Sequence, residues 1–121
     1  MNCNESKFGG AVILKVSGRI DLSNADSFKD TLSAALATAK TALVIDLSGI
    51  DYISSAGLRS LMIVFKAGKA QGKAFAIAGL QPLVLEIFTI SRFNLVFPLF
   101  ERARDAVEKL APDALPEFDA P

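Results

Sequence analysis

The sequence contains no histidine and no tryptophan, and only one cysteine and one tyrosine among 121 residues. Without histidine there is no His-based nucleophile triad, no common zinc site and no usual general base near neutral pH. Cys3 on its own closes no internal disulfide, which fits a reducing cytoplasm. An excess of charge is also missing: 13 basic residues cancel 13 acidic ones. No global field therefore draws the chain to nucleic acid or to an anionic membrane. No apolar run approaches a membrane span, and the opening MNCNESKFGG is no signal peptide. The chain reads as soluble and cytoplasmic, with no metal or cofactor expected and no membrane insertion.

What is present is globular: 51% apolar and 21% charged residues, in one domain long enough to bury a core. Residues 1–10 read as loose, or as the lead into a first strand. Ala11 to Val16 is strand-like, Ser17-Gly18 breaks it, and Ser23 or Asn24 can cap a helix running to about Lys40. Phe28, Leu32, Ala35, Leu36 and Ala39 share one side of that helix. Ala42 to Leu47 is a buried strand. After a polar turn, Leu58, Leu61, Met62 and Phe65 recur at helical spacing, and Gln71-Gly72-Lys73 stops that helix. Ala74 to Leu80 reads as another buried strand. Pro82 opens a helix with Leu83, Ile87 and Ile90 on its apolar face, beside Val84 and Phe88. Leu95 to Leu99 reads as a short strand weakened by Pro98, and Glu101 to Leu110 as a last helix. Residues 111–121, with three prolines and three acids, read as a flexible tail. Strands alternating with helices predict one sheet covered on at least one face.

The turn Ser54-Ser55-Ala56-Gly57-Leu58 invites four readings. Ser55 can be a plain helix cap, worth about 1 kcal/mol, although no Glu or Gln follows three residues on to make a capping box. As a nucleophile it lacks a histidine and the G-x-S-x-G context. As a phosphate cradle the turn lacks the glycines and lysine of a P-loop. As a phosphoacceptor it would place a near-dianion at a helix N-terminus, with Arg59 one turn on to screen it. Spacing alone leaves these open, with the cap as the default. Asp21 and Asp46, both near strand ends, can meet beside the turn as recognition groups or serve as loop caps. Lys66, Lys69 and Lys73 form a cationic row at a solvated helix end; Phe93, Phe97 and Phe100 read as core.

Val44-Ile45-Asp46-Leu47-Ser48-Gly49-Ile50-Asp51-Tyr52-Ile53-Ser54-Ser55-Ala56-Gly57-Leu58-Arg59 resembles the signature of the STAS domain, most of all that of bacterial anti-sigma factor antagonists. Val16-Ser17-Gly18-Arg19-Ile20-Asp21, Ala76 to Pro82 and Phe93 to Phe100 resemble three further motifs of the family in the right order. The resemblance covers roughly residues 8–110. It implies an α/β domain over residues 1–110, with a mostly parallel four- to five-stranded sheet and four helices packed on one side. It also implies partner switching. The unphosphorylated domain would bind an anti-sigma factor that is itself a serine kinase of the histidine-kinase-like ATPase type, releasing a client. Phosphorylation of Ser55 would end binding, and a serine phosphatase would restore it. Ser54 stands where many antagonists carry aspartate, which leaves it as a competing acceptor. The expected partner surface comprises Asp21, Asp51, Ser54, Ser55, Ala56 and Gly57, with Arg59, Ser60, Ile63 and Ala67 on the outer face of the helix. The alternative is a non-phosphorylated STAS module of a transport-accessory or stressosome-like complex, in which Ser55 is only a cap.

Overall fold

Strand order follows chain order. In the computed structural model, which describes residues 1–120, β1 (Asn2–Phe8), β2 (Ala11–Ile20), β3 (Ala42–Ile53), β4 (Ala74–Ala78) and β5 (Leu99–Phe100) form one sheet in the sequence β1-β2-β3-β4-β5. β1 pairs antiparallel with β2 as a hairpin, and the remaining pairings are parallel. The parallel strands are joined through α1 (Ala25–Thr38), α2 (Ser55–Ala70) and α3 (Pro82–Ile90). Each crossover steps in the same direction, and right-handed connections therefore put all three helices on one face.

The two faces are built from different side chains. Val12, Leu14, Val16, Leu43, Ile45, Leu47, Phe75 and Ile77 point toward α1, α2 and α3, where they meet Phe28, Leu32, Leu61, Val64 and Phe88. Their alternates Ala11, Ile13, Ala42, Val44, Ala76 and Ala78 point the other way. Four of these six are alanines, which admit a close-packed layer made by α4 (Ala103–Leu110) and α5 (Leu115–Asp119), through Ala106, Val107 and Ala114. The α/β class and the mostly parallel sheet are as expected. The placement of every helix on one side needs correction: α4 and α5 follow the last strand, belong to no crossover, and cover the opposite face.

Other local expectations also change: β2 runs on through Ser17-Gly18 to Ile20, and β3 runs past Leu47 to Ile53. Residues 2–8 are a full edge strand rather than a loose lead. The segment expected as a tail carries a 3-10 turn, Pro112–Ala114, and then α5; Pro121 lies outside the described residues. Phe118 stacks edge-on against Phe8 at 5.1 Å, Arg104 holds Asp119 through two bonds of 3.0 Å, and Glu117 accepts the Gly9 amide at 2.6 Å. Those partners are far away in sequence, so local composition could not announce them. Finally, Phe93–Leu95 is a 3-10 turn and the strand begins only after Pro98, which has no N–H for the ladder but whose carbonyl accepts from Ile77 at 3.0 Å. In α3 the buried residues are Val84 and Phe88, while Leu83 and Ile90 are exposed. No helix among the described residues is long and apolar enough to cross a membrane.

Candidate functional site

The serine turn sits where β3 ends and α2 begins, at the carboxyl ends of the parallel strands, the usual place for function in such sheets. Ser54 is the helix cap: its backbone is extended, and its hydroxyl accepts from the Gly57 amide at 3.2 Å. The Ser54 amide donates to the Ile20 carbonyl at 2.8 Å, which ties the turn to the end of β2. Gly57 is buried against Ile20 and Ile53, which brings the helix start down onto the two strand ends.

Ser55 is the first helical residue, is exposed, and makes no side-chain hydrogen bond among the described residues. Its amide and that of Ala56, in the first turn, have no intrahelical acceptor. Beside it runs a groove of about 330 Å³ lined by Ser55, Leu58, Arg59 and Met62 of α2 and by Ser91 and Phe93 from the connection after α3. Arg59 is exposed there, one turn from Ser55. Ser91 and Phe93 were not anticipated as groove residues; the connection after α3 bends back at Arg92, whose φ of 63° is left-handed, and no periodic pattern marks that bend.

Asp21 lies next to the turn, since it follows Ile20. Its carboxylate accepts from the Ser23 amide and hydroxyl, and Arg19 stands 3.5 Å away and over the ring of exposed Tyr52. The Ser23 hydroxyl bond, with the further bonds and Arg19, holds Asp21 below the ordinary 3.8. Asp21 thus serves its own loop. Asp46 does not meet it: Asp46 pairs across from Lys15 and Ala78, seven residues down β3 from Ile53, and accepts from the Ser48 amide at 2.9 Å. Asp51 is exposed near the end of β3.

The expected partner face on α2 needs revision. Ile63 is 47% exposed and Arg59 exposed, but Ser60 is 4% exposed and donates to the Ala25 carbonyl at 2.9 Å and to the Ala56 carbonyl at 3.1 Å. Gly57 is likewise buried and Ala67 half-buried. The reason is that α2 has two neighbours, the sheet and α1. The stripe Gly57, Ser60, Leu61, Val64, Gly68 is buried between them, with small residues where the helices approach; Met62 and Phe65 are only partly covered. Lys73, read as part of a solvated cationic row, donates to the Leu36 carbonyl at 2.7 Å in the last turn of α1. Leu22, in the loop after β2, is an apolar residue 83% exposed.

The family model described as “Mlab, STAS domain” matches residues 3–99. BtrV of Bordetella bronchiseptica, a candidate anti-sigma factor antagonist by its name, is 33% identical over 116 residues, 96% of this chain and 99% of its own. The anti-sigma-F factor antagonist RsfB of Mycobacterium tuberculosis is 29% identical over 99 residues, 81% of this chain and 80% of RsfB. Among solved structures, an anti-sigma factor antagonist from Mycobacterium paratuberculosis matches with a TM-score of 0.81 at 26% identity, over 90% of this chain and 92% of that one.

Proposed function

The chain belongs to the STAS family, among the anti-sigma factor antagonists, and from that membership we propose that it is a cytoplasmic binding module that captures an anti-sigma factor and is switched off by phosphorylation of Ser55. The captured partner is a serine kinase of the histidine-kinase-like ATPase type, and a serine phosphatase resets the switch. The observation that supports this reading is the division of labour in the turn. Ser54 carries the cap, so the Ser55 hydroxyl is exposed and engaged in nothing.

A phosphoryl group on Ser55 stands at a helix N-terminus, among the amides of Ser55 and Ala56, with Arg59 within a turn. The free domain therefore tolerates it. A partner seated over the groove does not, because it must desolvate a dianion. An unpaired buried charge costs several kcal/mol, which shifts a dissociation constant by orders of magnitude. No rearrangement of the domain is required. The alternative, a transport-accessory or stressosome-like module, has Ser55 as the cap, and that post is held by Ser54.

The test is phosphopeptide mapping after incubation with the cognate kinase and ATP. Modification at Ser55 is expected. A peptide unmodified at both serines, or modified only at Ser54, overturns the assignment.

A further inference from the structure

One side of the sheet is open. β1 pairs with β2 from Asn2↔Ser17 to Phe8↔Ala11 and has no strand on its other side, whereas the far edge is only the two residues of β5. The hairpin decides which groups face outward. Gly9, with φ of +58°, is in the left-handed region and Gly10 is not, as in a two-residue type II′ turn that makes Phe8 and Ala11 a hydrogen-bonded pair. Counting back in twos, Ser6, Asn4 and Asn2 direct their backbone groups to β2. The N–H and C=O of Lys7, Glu5 and Cys3 point away from the sheet. Residues 4–7 are exposed, and Glu5 leans on α1, where the Thr38 hydroxyl lies 3.4 Å from its carboxylate.

We propose that this edge pairs antiparallel with the same edge of a second copy, in a register centred on Ser6. A two-fold axis can fall at few positions on so short a strand. Centred on Glu5, it opposes two identical carboxylates. Centred on Asn4, it sets Glu5 against Cys3 and Lys7 against Met1, neither of them an oppositely charged side chain. Centred on Ser6, it sets Glu5 across from Lys7 of the other copy and Lys7 across from its Glu5, both in pairs whose outward amides and carbonyls meet. An edge defended by lysines alone repels its copy. Here the two outward charges are opposite in sign two residues apart, so the edge is complementary to itself. The contact is small and its ion pairs are exposed, so the association is weak and concentration-dependent.

Sedimentation equilibrium on the whole chain, up to roughly 1 mM, tests this. The wild type is expected to dimerise, and Glu5→Lys or Lys7→Glu to weaken the dimer about tenfold or more by opposing like charges. The double variant Glu5→Lys/Lys7→Glu should recover the wild-type constant. In a Cys3→Ser background, Ser6→Cys should form a disulfide-linked dimer on mild oxidation, because the central pair stands about 4.5 Å apart at Cα. A wild type that stays monomeric, a dimer indifferent to the charge swaps, or failure of Ser6→Cys to cross-link each overturns the proposal. All four positions are exposed or half-exposed, and circular dichroism on each variant separates a lost contact from a lost fold.

Discussion

A methyl group placed on Gly57 would stand 2.7 Å from Cγ2 of Ile20, and equally close to Cγ1 of Ile53. Both isoleucines are fully buried, so neither can swing aside. The glycine of the serine turn is therefore a packing requirement: it lets the first turn of α2 rest on the ends of β2 and β3. Gly57→Ala should cost about 1–3 kcal/mol through overpacking, despite alanine's better helix propensity. Urea unfolding checks this; a stability gain refutes the close approach.

The two serines of the turn should separate cleanly. Ser54→Ala removes the cap bond to Gly57 and is expected to cost about 1 kcal/mol. Ser55→Ala removes a hydroxyl that holds nothing and should stay within about 0.5 kcal/mol of wild type. Phosphorylation should show the opposite pattern, surviving Ser54→Ala and vanishing in Ser55→Ala.

On the proposed reading, the partner seats on the exposed side of α2. Ile63→Asp, at a half-exposed position outside the core, should abolish partner binding in a calorimetric titration while leaving the unfolding midpoint unchanged. Ser55→Asp should weaken the same titration and Ser55→Ala preserve it. Aspartate brings one charge where phosphate brings nearly two, so its effect is the smaller.

Acid should loosen the C-terminal segment. The Arg104 guanidinium holds the Asp119 carboxyl below its ordinary 3.8. A depressed folded-state value means that the contribution is complete above pH 3.8 and is lost as pH falls through the lower, folded value. NMR signals of Phe118 and Phe8 should therefore shift together below that pH. In Arg104→Gln the pair should already be loosened at neutral pH, and its titration should return toward the ordinary carboxylate value.

Much of this was legible in the chain. The strand expected over Ala42 to Leu47 is present and runs on to Ile53, and the one expected over Ala74 to Leu80 ends at Ala78; short apolar runs bounded by turn residues have few other uses. Ser54-Ser55-Ala56-Gly57 begins a helix for the reasons its residue types suggest. Ser60 was misplaced because apolar spacing counts only large side chains, and a helix contact made through small residues leaves no such trace. Residues 111–120 were misplaced because prolines and acids describe a segment's own reluctance to fold, not the aromatic ring at Phe8 waiting for it. The groove wall at Ser91 and Phe93 depends on one left-handed residue, Arg92, of a type that rarely adopts that conformation.

Because neighbouring strands are also consecutive ones, a nascent chain leaving the ribosome can lay each new strand on an edge that already exists. The α5 contact breaks that pattern: Phe118 must reach back to Phe8, 110 positions earlier in the sequence. Helix α5 is thus a latch that fastens itself to the first strand, and it can engage only once residues 115–119 have emerged.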